Sequence, residues 1–327
     1  MESIRNIKPI KILDILSMNT DEDHKMSAAE LVSRLKEEGI STEKKSLKYD
    51  IALLNKYGHE VMVERSEQIY YYVEDRKFDI PELKILIDAI QCANFITESK
   101  SKELTMKIGN LAGSYKGELL THNTAYQNEH KKTNEQIFYI INNIELAIQK
   151  GKKITFKYFD NGLDGSKVFR KDGALYVINP VKFTINDNKY YLVCYSDKHK
   201  NLTTYRVDRM SNVEILEEDR TKNNAATNEE VIKFLDGLFD MFGGKKESIV
   251  LRCDKTSKII EIINDEFGRN KSIIREDDKT FDIRVNVGVG DTFYSWLATF
   301  RGQIKIEFPK AVREKYKEFL QANIENI

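Results

Sequence analysis

The chain has 327 residues, with 52 Lys and Arg against 52 Asp and Glu, so its formal net charge is zero. A 41% hydrophobic fraction, 32% charged residues and only 4 Pro exclude collagen-like, mucin-like and wholly disordered chains, and the length allows two or three compact domains. No apolar run approaches the ~20 residues of a membrane span and no apolar leader opens the chain. Three scattered cysteines, Cys92, Cys194 and Cys253, suit neither a disulfide framework nor a Cys-x-x-Cys metal site. A soluble, cytoplasmic, multidomain protein is expected.

In chain order, residues 1–76 read as three helices and a hairpin. The first helix covers about Lys8 to Met18. The second follows Ser27, a candidate N-cap with Glu30 three residues on, and runs to Gly39. The third begins at the candidate N-cap Ser41 and ends near Tyr57-Gly58, with Leu47, Ile51 and Leu54 on one buried face. Val61 to Val63, a polar tip and Ile69 to Val73 make the hairpin. Residues 77–149 read as a helical arm: Pro81 opens a helix whose stripe of Leu83, Leu86, Ile87 and Ile90 needs a partner, further helices fall near Ser101–Ala112 and Asn134–Gln149, and Thr121 to Thr133 is a polar loop. From Lys152 the period becomes two. Short strands over residues 150–220 start at Ile154, Leu175, Lys182, Tyr190, Thr203 and Val213, with turns at Asn161-Gly162, Asp172-Gly173 and Asn186-Asp187-Asn188. After a linker at 221–247, residues 248–327 follow the β-α-β-β-α-β order of a ferredoxin-like domain, closed by a helix from Ala311.

Catalytic chemistry finds no foothold. The five histidines, His24, His59, His122, His130 and His199, never stand at ligand spacing. Gly243-Gly244-Lys245-Lys246 lacks the upstream glycine and Ser/Thr of a phosphate loop, and Gly288-Val289-Gly290 lacks its third glycine. No enzyme, metal or cofactor is implied. The third helix offers more: opposite its buried face lie Thr42, Lys45, Ser46 and Tyr49, flanked by Lys44 and Lys48. Such a face suits either a major groove, with long side chains on base edges and lysines on phosphates, or plain solvation. Residues 1–76 hold 12 Lys/Arg against 15 Asp/Glu, so duplex DNA binding must rest on this local patch. The β unit is the basic one: residues 152–213 carry 12 Lys/Arg against six Asp, interleaved with Tyr158, Tyr176, Tyr190, Tyr191, Tyr195 and Tyr205. Aromatics with cations fit a nucleotide or single-stranded nucleic-acid platform. They equally fit a tyrosine-rich core with surface lysines.

Tyr190-Tyr191-Leu192-Val193, followed by Thr204-Tyr205-Arg206-Val207-Asp208-Arg209-Met210, resembles the signature of WYL-domain transcriptional regulators. Tyr190 stands where that family often has Trp. Asn179-Pro180-Val181 is similar to a family segment that commonly reads Ser-Pro-Tyr, and Lys45-Ser46-Leu47-Lys48-Tyr49-Asp50-Ile51 resembles the family's recognition helix. Phe78 to Ile90 resembles its helical connector, and Phe293, Trp296, Arg301-Gly302 and Pro309 resemble its C-terminal extension, the WCX region. The resemblance implies a multidomain α+β, bacterial-type regulator: winged helix-turn-helix, helical dimerisation arm, Sm-like all-β WYL sandwich and ferredoxin-like WCX domain. It also implies a homodimer on double-stranded DNA and an anionic effector, a nucleotide or single-stranded nucleic acid. On the WYL sheet, Tyr191, Tyr205, Arg206 and Arg209 are the candidates for that effector, although Arg206 could instead pair structurally with Asp208 and Arg209 close a strand end. A nucleic-acid sensor or adaptor that does not act on a promoter is the alternative.

Overall fold

A computed structural model describes residues 2–122, 136–221, 227–235, 238 and 245–325. The chain divides into two compact units, Met1–Ile137 and Phe138–Ile327.

The first unit opens with α1 (Glu2–Asn19), a two-residue strand β1 (Met26–Ser27), α2 (Ala28–Glu37) and α3 (Lys44–Lys56). A hairpin of β2 (Val61–Arg65) and β3 (Ile69–Val73) follows. Ile12 and Leu16, Leu31 and Leu35, Leu47, Ile51 and Leu54, and Tyr71 of the hairpin share one core, as their helical and alternating spacings require. Three details correct the sequence reading. The first helix starts ahead of Lys8 and carries Pro9 inside it, at the loss of one backbone hydrogen bond. Ser27 does cap α2, accepting the Glu30 amide at 3.2 Å, but the Glu30 carboxylate pairs with Arg34 rather than completing a capping box. The N-cap of α3 is Glu43, not Ser41, and its side chain accepts no cap bond; the Ser46 hydroxyl donates to the Glu43 carbonyl at 3.0 Å. β1, invisible to periodicity, pairs with β3 through Met26 and Tyr71.

The arm contains α4 (Ile80–Cys92), α5 (Glu98–Gly109) and α6 (Ser114–His122). Its apolar stripe is divided. Leu83 and Ile87 are buried with Ala112 and Leu120 in a small core of the arm itself, while Leu86 stays 40% exposed. Thr121 and His122 end α6 instead of opening a loop, and the rest of that expected loop lies outside the described residues. Two glycines let α5 and α6 touch: a Cβ on Gly117 would stand 2.5 Å from the Gly109 carbonyl oxygen.

The second unit holds α7 (Ile137–Lys150) and strands β4 (Lys152–Asn161), β5 (Lys167–Phe169), β6 (Tyr176–Asn186), β7 (Lys189–Ser196), β8 (Asn201–Arg206) and β9 (Met210–Asp219). They order as β5-β4-β6-β7-β8, with β9 also on β4. Asn143 of α7 donates its amide to the Val213 carbonyl at 3.0 Å, docking the helix on the sheet. The two expected strands at Leu175 and Lys182 are one strand, β6, with a register shift between Pro180 and Lys182 where the missing proline amide is tolerated. Asp187 and Asn188, at φ 45° and 52°, form its hairpin turn to β7. The expected linker contains α8 (Asn228–Leu235), which buries Val231.

The C-terminal part follows β10 (Lys245–Asp254), α9 (Ser257–Phe267), β11 (Lys271–Glu276), β12 (Thr280–Val289), α10 (Asp291–Thr299), β13 (Ile304–Phe308) and α11 (Lys310–Glu325). The sheet order is β11-β12-β10-β13, antiparallel throughout. Leu251, Ile283 and Ile306 face Ile259, Phe293 and Val312 of the helices in one core. The protein is thus a mixed α/β, multidomain chain with a helical N-terminal part and several antiparallel sheets.

Candidate nucleic-acid interface and effector cluster

Burial of Leu47, Ile51 and Leu54 turns the opposite side of α3 outward. Lys44, Lys45 and Lys48 are exposed, and Tyr49 is 76% exposed. They border a groove of about 710 Å³ whose far wall is the hairpin, with Val63, Arg65 and Ile69. The hairpin is held to α3 by Asn55, which donates to the Val61 carbonyl at 3.0 Å and accepts the Val61 amide at 2.9 Å. Thr42 and Ser46 are placed differently from the other four candidates. Their hydroxyls lie 2.7 Å apart, and Lys8 of α1 reaches both, at 3.4 and 3.2 Å. The same ammonium stands 2.6 Å from Asp50. Lys8 therefore ties the solvent side of α3 to α1 and occupies two of the six candidate readers. Nothing in the sequence marks it, since the contact joins positions far apart in the chain.

On the second unit, register decides which candidates meet. Tyr191 pairs with Arg206 and Leu192 with Tyr205, so Tyr205 projects to the opposite side of the sheet from Tyr191 and Arg206. Arg206 grips Asp208 with two bonds, at 3.0 and 2.7 Å. Burial works against its charge, but the hydrogen bond to Asp208 prevails and raises its pKa. Arg206 thus makes the structural pairing that the sequence left open.

Tyr205 belongs to a second cluster. Its ring meets Phe156, Tyr158 and Tyr176 edge-on, at 5.3, 5.2 and 5.7 Å, and burial pushes its pKa up to about 12. Burial also raises the Tyr158 pKa, and the Tyr158 hydroxyl accepts the Arg206 amide at 3.1 Å. Beside these rings Asp160 accepts from Arg170 at 2.6 and 2.9 Å and from Arg209 at 3.0 Å. The bond from Arg170 holds the Asp160 carboxyl below the usual aspartate range. Arg170 lies over the Tyr158 ring at 5.3 Å and Lys171 over Tyr176 at 4.2 Å. Two arginines thus share one carboxylate, and Arg209 Nε is buried with no hydrogen-bond partner. Lys171 and Asp172, at φ 51° and 53°, hold the loop in a left-handed conformation that costs energy in non-glycine residues. Sequence reasoning noticed Tyr158, Tyr176, Arg170 and Lys171 only as members of a basic, tyrosine-rich stretch.

The local basic excess shrinks in space. Lys152 pairs with Asp219, and Lys153 with Asp197 and Glu218; two of these carboxylates lie just beyond the window counted. Among the described residues no group of three or more His, Cys, Asp or Glu could hold a metal ion, and no helix is long and apolar enough to cross a membrane. His130 is outside the described residues.

No curated protein matches the chain. Among solved structures it is similar to the proteasome accessory factor B/C (PafBC) of Arthrobacter aurescens, at 14% identity and a TM-score of 0.30, over 96% of this chain and 48% of that one. The chain therefore spans about half the length of PafBC. It is also similar to a CRISPR Cas-related protein, at 14% identity and a TM-score of 0.38, over 99% of this chain and 84% of that one. No catalytic family is indicated. Residues 139–215, which include Tyr158, Asp160, Arg170, Tyr176, Tyr205 and Arg209, match the family model of the WYL domain, and that stretch of the chain is a WYL domain.

Proposed function

We propose that the protein is a DNA-binding transcriptional regulator whose WYL domain senses an anionic effector, a nucleotide or oligonucleotide. The observation that carries the first half is the face of α3: Lys44, Lys45, Lys48 and Tyr49 stand exposed along a groove walled by a hairpin that bears Arg65. A helix pinned on its apolar side and set beside a hairpin is the geometry by which a winged helix-turn-helix enters a major groove. Base reading falls to Lys45 and Tyr49, and Lys44 and Lys48 hold phosphates. Thr42 and Ser46, engaged by Lys8, set the helix in place.

The effector half rests on the cluster around Asp160. Arg209 Nε lacks a partner, Arg170 and Lys171 already lie over tyrosine faces, and an anion would complete the guanidinium hydrogen bonds that one carboxylate leaves open. Tyr205, half-buried at the cluster, supplies a ring for a base. Arg206, paired with Asp208, orients the strand end and is not spent on ligand. In this reading residues 1–76 are a winged helix-turn-helix, 77–149 an arm, 150–220 an Sm-like sandwich and 248–327 a ferredoxin-like WCX domain, which the β11-β12-β10-β13 order supports. The protein pairs as a homodimer through the arm, using Ile85 and Leu86, which α4 leaves exposed.

The test is a footprint on the DNA upstream of the protein's own gene. A discrete protected site, lost in Lys45→Ala/Tyr49→Ala, is expected. Uniform protection, or a footprint indifferent to that pair, overturns the reading. Sedimentation as a monomer at micromolar concentration removes the homodimer from it.

A further inference from the structure

We infer that the open face of the C-terminal sheet is a platform for a single-stranded nucleic acid, a second surface on a different sheet from the tyrosine–arginine cluster. The helices α9, α10 and α11 all pack on one side of this sheet, so strand alternation sends every second side chain to the other. There the register builds two rows. Phe308 of β13, which the register shift between Val250 and Leu251 takes out of the alternation of the buried Ile304 and Ile306, lies across from Val250 of β10, which lies across from Arg284 of β12. Two residues along, about 7 Å, Lys305 lies across from Arg252, Arg252 from Asp282, and Asp282 from Arg275 of β11.

The chemistry of the rows is complementary. Phe308 is 61% exposed, an aromatic ring held on a strand. Asp282, the carboxylate at the centre of the cation row, is buried and spent on Arg252, which grips it at 2.9 and 3.0 Å. Arg275, Arg284 and Lys305 are exposed and make no ion pair among the described residues. A sheet face that offers a ring for base stacking, flanked by three cations outside these ion pairs, is how four-stranded sheets hold unpaired strands. One exposed carboxylate, Glu307, also flanks the ring and is held by Arg252 at 3.5 Å. A duplex has its bases stacked inside and cannot use Phe308, so the platform discriminates against it.

Full-length protein is titrated, by fluorescence anisotropy at several salt concentrations, with a short labelled oligonucleotide, once as single-stranded DNA and once as RNA. Phe308→Ala should weaken binding of the preferred strand by about 5- to 150-fold, and Phe308→Trp should keep it. The surface pair Arg284→Ala/Lys305→Ala, which removes no buried atom, should reduce the salt slope of log K by about 1.4. Melting temperature and affinity for the duplex site should not change in either. Wild-type affinity and slope in both variants, or no strand binding by the wild type, overturns the platform. A loss confined to Arg209→Ala, with Phe308→Ala at wild-type affinity, assigns the strand to the WYL cluster alone and also overturns it.

Discussion

Replacing Lys8 with Met should loosen the DNA-facing helix without touching its exposed face. The ammonium of Lys8 and the carboxylate of Asp50 are 2.6 Å apart, with side chains only 15% and 14% exposed. At an effective dielectric of about 20, that separation corresponds to about 6 kcal/mol of attraction, much of it offset by the desolvation of both charges. The variant loses the attraction and keeps half the desolvation: Asp50 remains largely buried with no counter-charge, and Thr42 and Ser46 lose a donor. A net cost of about 2–4 kcal/mol follows, concentrated at α3. The sole tryptophan, Trp296, belongs to the other unit and is blind to it, and a chain of two units has no single unfolding free energy. Hydrogen exchange of peptides covering residues 44–56 is the suitable assay. Local opening should become about 30- to 900-fold more frequent, and Lys8→Met/Asp50→Asn should recover most of the protection by removing the stranded charge. Exchange within about twofold of wild type in Lys8→Met, or a double variant no better than the single one, refutes the reasoning.

On duplex DNA, Lys45→Ala or Tyr49→Ala should relax base preference at ~1–3 kcal/mol each. Lys44→Ala or Lys48→Ala should weaken all sequences alike and lower the salt slope by about 0.9, as competition footprints and salt titrations would show. In the effector cluster, Arg209→Ala should reduce oligonucleotide affinity at ~1.5–3 kcal/mol in anisotropy titrations, while Arg206→Ala should act mainly on melting temperature. The Asp160 carboxyl is held low by Arg170, so its contribution is present above the ordinary aspartate value of about 3.9 and lost as the pH falls through its lower folded value. The melting difference between Asp160→Asn and wild type should therefore shrink as the pH drops from 7 toward 3. Gly117→Ala should destabilise the first unit by about 1–3 kcal/mol, since its Cβ would meet the Gly109 carbonyl at 2.5 Å.

Elements with a strong period were legible in the sequence; contacts set by register were not. Leu47, Ile51 and Leu54 announced the buried side of α3, and with it the outward direction of Lys45 and Tyr49. In the C-terminal domain, alternating strands and amphipathic helices gave the whole element order. At Asn179-Pro180-Val181 the proline looked like a break, yet β6 runs through it because a register shift removes the need for its amide. The segment from Ser114 has little helical amphipathy and two nearby glycines, so α6 went unseen. The pairing of Arg206 with Asp208 was open to inspection because the two are neighbours in sequence. The bridging of Arg170 and Arg209 by Asp160 was not, because it requires β4, the loop after β5 and the turn after β8 to converge.

Charge distribution then separates the two kinds of binding. The first 76 residues carry more carboxylates than cations, so bulk attraction to a polyanion is weak, and the proposed DNA recognition rests on Lys44, Lys45, Lys48 and Arg65 around one groove. Three phosphate contacts, from Lys44, Lys48 and Arg65, correspond to a salt slope of about 2.7 per copy, modest for a DNA-binding domain. Low non-specific affinity leaves the ratio of specific to non-specific binding to the few side chains that touch bases. In the WYL cluster the balance is reversed: two arginines share one carboxylate and Lys171 lies over the neighbouring Tyr176 ring, so an anion gains from the field before any base is read. Asp160 limits that gain, because an incoming phosphate must compete with a carboxylate already bonded to both arginines. A ligand with more than one anionic group, or with a base to meet Tyr205, overcomes this competition where a lone inorganic ion does not, which is the physical ground on which a nucleotide or oligonucleotide is proposed as the effector.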